Sequence, residues 1–152
     1  MASPINAGLS LIEVMVCSAL LVVGLEAAFS AMGTSFITKR QTENRSLALA
    51  EAQTQVEQLQ AFSYTSIQAL AAGSGETTFA AIDSVTGTAT GPLAALRPQV
   101  NPTTNQPLTH LGMVRRVAQN GNSYCFLVWV GWKEAWGDDK VELYYWYTKR
   151  NS

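Results

Sequence analysis

The feature of this sequence that most limits how it can fold is an apolar run near the N-terminus. Residues 9–32 contain only two charged side chains, Glu13 and Glu26. As an α-helix the run would extend about 36 Å, because each residue adds about 1.5 Å along the axis. The hydrocarbon core of a bilayer is about 30 Å thick. The run therefore predicts a single transmembrane helix over residues 9–32.

Other interpretations of the apolar run fit its flanks less well. A cleaved secretory signal carries basic residues before its apolar core, and no Lys or Arg precedes Leu9. A lipoprotein signal needs a small residue before its cysteine, whereas Val16 precedes Cys17. An ordinary membrane anchor leaves Glu13 unexplained, because a carboxylate deep in the bilayer costs at least about 2.5 kcal/mol. Glu13 is therefore a candidate functional residue.

The residues around Glu13 resemble a known processing signal. Residues 8–14 read GLSLIEV, which is similar to the cleavage and assembly signal of type IV prepilins and type II secretion pseudopilins. That family has a short leader ending in Gly, then a hydrophobic residue, a small hydroxyl residue, a pair of aliphatic residues and Glu. The resemblance is specific over residues 8–33 and architectural beyond them. It implies a leader peptide at residues 1–8 and a mature chain that starts at Leu9.

The resemblance assigns roles to three residues. A prepilin peptidase would cleave between Gly8 and Leu9, and the new α-amino group of Leu9 would be methylated. Glu13 would meet the N-terminus of a neighbouring subunit during assembly. A free amine is largely cationic at neutral pH, so it and the carboxylate can neutralise each other in apolar surroundings. The implied partners are the peptidase, other pilin subunits and the assembly platform of the inner membrane.

The N-terminus also departs from the family pattern. Leu9 stands where the family usually has Phe, and residues 1–8 lack the Lys or Arg that these leaders usually carry. Lys39 and Arg40 follow the span instead, which by the positive-inside rule argues against an N-terminus on the cytoplasmic side. Processing of this leader is therefore a point for experiment.

The helix is expected to continue beyond the span, over residues 9–62 in all. Residues 9–62 contain no Pro and only two Gly, so nothing in them breaks a helix. Past the span, apolar residues recur at intervals of three and four, which is one face of an amphipathic helix: Leu49, Ala52, Val56, Leu59 and Phe62. This stripe predicts contact with the chain's own head domain. A coiled-coil seam is the alternative, but it needs about four heptads and only about two are present.

The remaining sequence predicts a small β-rich head. Residues 63–112 are expected to be a variable, irregular region because Thr, Gly and Pro dominate much of it, although residues 76–82 fit a short strand. Residues 113–152 are expected to form an antiparallel sheet with strands at 113–118, 123–132 and 141–148. Asn120 and Gly121 signal a hairpin, and residues 133–139 a polar turn. The middle strand is apolar on both faces and is predicted to be central. The fold class is therefore α+β, a long helix packed against a small antiparallel meander, as in pilins.

Composition and single residues argue against an enzyme. Ten Lys and Arg against eleven Asp and Glu give a net charge of −1, which does not point to nucleic acid. The chain has one histidine, His110, expected to face solvent after a Pro-rich loop. Asp138 and Asp139 are adjacent carboxylates, which are weak grounds for a calcium site. With no catalytic constellation and no Gly-rich phosphate loop, we expect no enzymatic activity, no cofactor and no metal.

The cysteines and tryptophans are expected to serve packing. Cys17 lies in the predicted span and Cys125 in the head, too far apart for a disulfide. The four tryptophans could form a carbohydrate-binding or surface-binding patch, but core and subunit packing is the preferred interpretation: Trp129, Trp132, Trp136 and Trp146. Trp136, in the predicted turn, is the one expected to be exposed.

These observations together predict a structural subunit, a minor pilin of a type IV pilus. It would enter the bacterial inner membrane as a single-pass precursor and later reside in the periplasm or in a pilus on the cell surface. The small size, the long loop and the lack of a head disulfide favour a minor over a major pilin. Two alternatives stay open: a pseudopilin of a type II secretion system, and a membrane-anchored binding protein that never polymerises.

Overall fold

A computed structural model of the chain describes residues 10–73 and 75–149. Its longest element is α1, Leu11–Ala61, a helix of 51 residues. The chain divides into two compact units, one ending at Gln41 and the other starting at Thr42, and α1 contributes residues to both. Leu9, where the helix was predicted to begin, lies outside the described residues.

The first unit consists, in its described part, of the N-terminal portion of α1. Its large apolar side chains are exposed all around the helix, from Leu11 to Ile37. By length and composition α1 is long and apolar enough to cross a membrane. The expected long apolar helix near the N-terminus is therefore confirmed.

The second unit, which we call the head, combines the end of α1 with a short helix and one sheet. The short helix α2 spans Tyr64–Ala72. Four strands follow in chain order and pair antiparallel with their neighbours: β1 Glu76–Ala81, β2 His110–Asn120, β3 Ser123–Glu134 and β4 Gly137–Thr148. The expected α+β arrangement of helix and antiparallel meander is confirmed, and β3 lies between β2 and β4 as its two apolar faces predicted.

The prediction that residues 63–112 are irregular is wrong in two places. They contain α2, and β2 begins at His110 rather than at residue 113, whereas β1 lies where residues 76–82 were expected to fit a short strand. Ser63 caps α2, and its Oγ accepts a hydrogen bond of 3.3 Å from the backbone N–H of Ser66. β1 pairs with β2, so the meander has four strands rather than three. Because that pairing joins segments about 30 residues apart, local sequence patterns do not reveal it.

The long connection between β1 and β2 is held against the head. Short bridges join Ile82 to Ala89 and Arg97 to Lys133. Leu93, in a 3-10 turn at Gly91–Leu93, is fully buried. Gln99 Nε2 donates a hydrogen bond of 3.1 Å to the carbonyl oxygen of Asp139 in β4. The segment is irregular in backbone but packed into the core.

The face of α1 that meets the head differs in part from the predicted stripe. Ala52 and Leu59 are buried and Val56 packs against the core, as predicted, but Leu49 is 38% exposed and Phe62 45% exposed. Ala48, which is fully buried, belongs to the contact face instead. The bulky residues of the core come from the sheet, chiefly β3: Tyr124, Phe126, Val128, Val130 and Trp132. Alanines on the helix leave room for these side chains.

The turn between β3 and β4 is shorter than predicted. Only residues 135–136 form it, and Glu134 pairs with Gly137. Asp138 and Asp139 were predicted to lie in a polar turn, but they belong to β4, opposite Lys133 and Trp132. Gly137, the first residue of β4 after this turn, has a φ of 147°, a backbone conformation that residues with a side chain rarely adopt.

Candidate functional site

The site suggested by the sequence lies at the start of α1. Gly8 and Leu9 lie outside the described residues, so cleavage between them stays a prediction. Ser10 is the first described residue and immediately precedes the helix. Ser10 and Glu13 are both exposed, as are Leu11 and Ile12 between them.

Ser10 and Glu13 form a reciprocal pair of hydrogen bonds at this helix start. Ser10 Oγ accepts a bond of 3.3 Å from the backbone N–H of Glu13, and Glu13 Oε2 accepts one of 3.3 Å from the backbone N–H of Ser10. This is a capping box, which satisfies backbone donors that the first helical turn leaves without partners. A carboxylate here also lies near the positive end of the helix dipole. Glu13 therefore has a local role in starting the helix.

Sequence reasoning missed the capping box, although the signal was available. A Ser followed three residues later by Glu, ahead of an apolar run, is its known signature. The same Ser and Glu belong to the pattern that resembles a prepilin signal. Glu13 thus has two separate explanations, a structural one that is visible in its contacts and an assembly role that the resemblance implies.

The charges of the apolar helix are widely spaced. Between Glu13 and Glu26 the helix has 12 residues without a charge, residues 14–25. This uncharged stretch rises about 18 Å, at about 1.5 Å per residue. A helix that is apolar all around is normally covered by lipid or by other helices.

A second cluster joins α1 to the sheet within the head. Glu134 Oε1 accepts a hydrogen bond of 2.7 Å from Asn44 Nδ2 and another of 2.7 Å from Trp132 Nε1. Trp132 is fully buried and Glu134 is half-buried. We call these three residues the polar clamp. It fixes the end of β3 against the helix.

Tyrosines from three elements meet at another part of the head. The ring of Tyr64 in α2 lies 6.2 Å from that of Tyr124 in β3 and 6.3 Å from that of Tyr147 in β4. Lys149 Nζ lies 5.1 Å from the centre of the Tyr64 ring. A hydrogen bond with the Tyr64 hydroxyl raises the pKa of Tyr124, because it favours the protonated phenol. The cluster ties α2 to the last two strands.

The four tryptophans do not lie on one surface. Trp132 is buried in the core, and the half-buried Trp129 ring covers Gly131, where a Cβ would lie 2.3 Å from it. Trp136 is exposed, as its position in a turn predicts. Trp146 is also exposed and shares β4 with the exposed Tyr144.

The remaining candidate residues lie apart from one another. Cys17 is exposed, Cys125 is buried, and both thiols are free. His110 follows the loop, as expected, but it is half-buried at the start of β2 and is therefore less exposed than predicted. Within residues 10–73 and 75–149, no group of three or more His, Cys, Asp or Glu side chains is arranged to hold a metal ion.

Two features therefore carry the functional argument. One is the capping box that opens an exposed apolar helix, and the other is the head, in which the end of that helix packs on a four-stranded meander. In comparisons with known proteins, no family model, no curated protein and no solved structure matches this chain.

Proposed function

We propose that this chain is a minor pilin, a subunit of a type IV pilus that enters the inner membrane through α1 and assembles through the same helix. The observation that carries the proposal is the placement of the capping box. Ser10 and Glu13 start α1 directly after the residues that resemble a cleavage site, Gly8 and Leu9.

The exposed apolar surface of α1 fits a helix that is covered first by lipid and later by the helices of other subunits. Its large apolar side chains from Leu11 to Ile37 have no cover within the described part of the chain. Burying such surface contributes about 25 cal/mol per Å². Lipid covers it in the precursor, and helices of other subunits cover it in the filament. A filament subunit uses both, whereas a plain anchor uses only the first.

The contacts of Glu13 make the proposed assembly role testable apart from helix capping. A capping box works with Gln as well as with Glu, because the amide oxygen can accept the same bond. Pairing with a cationic amine needs the negative charge. Breaking a buried ion pair by removing one partner costs about 3–5 kcal/mol, which is enough to exclude a subunit from an assembly.

The experiment compares four tagged variants, each co-expressed with the wild-type chain, in the sheared filament fraction. Glu13→Ala removes the charge and the cap, Glu13→Gln removes the charge alone, and Ser10→Ala weakens the cap alone. Glu13→Asp keeps the charge but shortens its reach. We expect Ala and Gln to be excluded, Asp to be intermediate and Ser10→Ala to be incorporated.

Two results would count against the proposal. Normal incorporation of Glu13→Gln into filaments would show that the charge of Glu13 is not needed for assembly and that its role is helix capping only. Absence of the wild-type chain itself from the filament fraction would favour an anchored protein that never polymerises. Membrane insertion of every variant, followed in the membrane fraction, is the control, because removing a charge from the span does not hinder insertion.

A further inference from the structure

Glu26 is an acidic residue of α1 that the proposed function does not use. It is the only charged residue of the stretch 14–38, which lies between Glu13 and Lys39. A helix needs about 20 residues to span the hydrocarbon core, and any segment of about that length within residues 14–38 has at least seven residues on either side of Glu26. At about 1.5 Å per residue, the Glu26 backbone then lies about 10 Å or more from both surfaces of the hydrocarbon core.

The Glu26 carboxylate has no partner among the described residues. The side chain is exposed, and no hydrogen bond or ion pair joins it to another residue of the described chain. Residues 14–38 contain no Lys, Arg or His, so this stretch supplies no cationic side chain at the same depth. Ionisable residues inside membranes pair with one another or with other polar groups, because an unpaired charge in hydrocarbon is costly. Glu26 therefore needs a partner from another molecule.

Small residues lie on the same face of α1 as Glu26. Ala19 and Gly33 are seven residues before and after it, and seven residues bring an α-helix to within about 20° of two full turns. A Cβ added at Gly33 would meet no atom within 4 Å. Small residues let helix backbones approach closely in a membrane, and a spacing of seven is typical of two parallel helices packed side by side. We call Ala19, Glu26 and Gly33 the Glu26 face.

A second copy of the chain matches this face better than a cation of another protein. Copies that insert in one orientation carry Glu26 at the same depth, so the two side chains meet without any shift along the helix axis. A protonated carboxyl group donates a hydrogen bond and a carboxylate accepts one, so two Glu26 side chains that share a proton satisfy each other. A basic side chain of another protein would itself have to be inserted at mid-depth, which is costly.

We propose that two copies of this chain form a parallel dimer in the membrane, with Glu26 of one helix hydrogen-bonded to Glu26 of the other across the Glu26 face. The inference rests on the part of the proposed function that places α1 in a membrane. Glu13 lies about 140° around the helix from Glu26, so the dimer contact does not compete with the assembly contact of Glu13. A contact between identical faces closes on itself, and the dimer is therefore distinct from the filament.

Cysteine cross-linking of the full chain in its membranes tests the geometry. In a background of Cys17→Ser and Cys125→Ala, either Ala19→Cys or Gly33→Cys places one thiol on the Glu26 face. Gly24→Cys is the matched control for Gly33→Cys, because residue 24 lies about 160° around the helix from residue 26. A mild oxidant joins thiols whose Cα atoms lie within about 7 Å. We expect disulfide-linked dimers from the thiols at positions 19 and 33 and none from position 24.

Variants of Glu26 in the Ala19→Cys chain test the chemistry. Glu26→Leu removes the polar group, and we expect the dimer yield to fall about tenfold, the effect of losing a hydrogen bond between membrane helices. Glu26→Gln keeps a donor and an acceptor and should still dimerise. Glu26→Lys alone brings two cations together and should not dimerise. Co-expressed with the Glu26 chain under a tag of different size, it should form mixed dimers.

Equal dimer yields with Glu26 and with Glu26→Leu would overturn the inference, and so would dimers from Gly24→Cys in place of Gly33→Cys. Cross-linking only to a band that is not twice the mass of this chain would indicate a partner protein and would also overturn it. These results leave the proposed function intact, because the chain still spans the membrane. Absence of the wild-type chain from the carbonate-resistant membrane fraction would instead remove both. A dimer in a chain that never enters filaments would support the Glu26 contact and count against the pilus.

Discussion

Asn44 of α1 donates a hydrogen bond of 2.7 Å to Glu134 of β3, although 90 residues separate the two in sequence. The same carboxylate oxygen accepts the indole N–H of Trp132, which is fully buried. Glu134 therefore accepts a hydrogen bond from a buried donor and also joins the helix to the sheet. The head depends on α1 for part of its core and part of its polar contacts.

A fragment prediction follows from this dependence. A chain starting at Lys39 keeps Ala48, Ala52 and Leu59 and is expected to fold. A chain starting at Tyr64 lacks them, leaves the core face of β3 uncovered, and is not expected to fold, because a small head has little stability to spare. Amide spectra measure this, and sharp, dispersed signals from the shorter fragment would contradict it.

The polar clamp gives the second prediction, measured by denaturant unfolding of the fragment that starts at Lys39. Glu134→Ala leaves the Trp132 N–H buried without an acceptor, and we expect the free energy of unfolding to fall by about 1–3 kcal/mol. Glu134→Gln retains an acceptor oxygen and should lose less. Asn44→Ala removes only the bond to the helix and serves as the matched control. Equal stability of the Ala variant and the wild type would show that the clamp contributes nothing.

The corrected contact face gives the third prediction. Leu59→Ala opens a cavity at a buried position and should lower the free energy of unfolding by about 2–5 kcal/mol. Leu49→Ala makes the same chemical change at a position that is 38% exposed, and should stay within about 0.5 kcal/mol of the wild type. The two variants are compared by denaturant unfolding. A larger loss of stability in Leu49→Ala would support the contact face that the sequence predicted, which includes Leu49.

The tyrosine cluster predicts how stability changes at high pH. The pKa of Tyr124 is raised in the folded head by its hydrogen bond with Tyr64. The corresponding stability is fully present below the unfolded pKa of about 10 and is lost as the pH rises through the folded value. Ultraviolet titration should show one tyrosine ionising later than in the unfolded chain. Tyr64→Phe should reduce the delay without removing it, because burial also raises the pKa of Tyr124. An unchanged titration curve would disprove the assignment.

Processing at the N-terminus is the fifth prediction. Protein from native membranes should begin at Leu9 with a methylated amine, as intact mass and N-terminal sequencing would show. Replacing Gly8 with a bulkier residue should block cleavage and leave membrane insertion intact. Retention of residues 1–8 in the presence of the cell's own peptidase would contradict the resemblance on which the prediction rests.

Sequence patterns predicted the elements of the fold better than their contacts. The long helix and the last three strands follow from hydrophobicity and turn residues, which act over a few neighbouring positions. The contact face of α1 does not follow from such local patterns. Hydrophobicity predicts that Leu49 belongs to this face, whereas the structure buries Ala48. Ala48 is buried in a core cluster that also contains large side chains of β3, and a local sequence pattern contains no information about that packing.

The same contrast between local patterns and long-range contacts applies to the candidate site and the polar clamp. The pair formed by Ser10 and Glu13 was predictable, because its spacing is a known local signature. The bond between Asn44 and Glu134 was not, because it depends on how distant segments pack. The pairing of β1 with β2 across a long connection was missed for the same reason.

The spacing of Glu13 and Glu26 has a consequence for how firmly α1 is held in a bilayer. The 12 uncharged residues between them rise about 18 Å, well short of the roughly 30 Å of hydrocarbon. Whenever the helix spans, at least one carboxylate is submerged, at a cost that reaches about 2.5–3.5 kcal/mol at mid-depth and falls toward either surface. The free energy needed to withdraw the helix from lipid is therefore lower, by the cost of the submerged carboxylate, than for a helix without this charge. If the chain is the filament subunit proposed above, this lowers the free energy needed to extract it from the membrane during assembly.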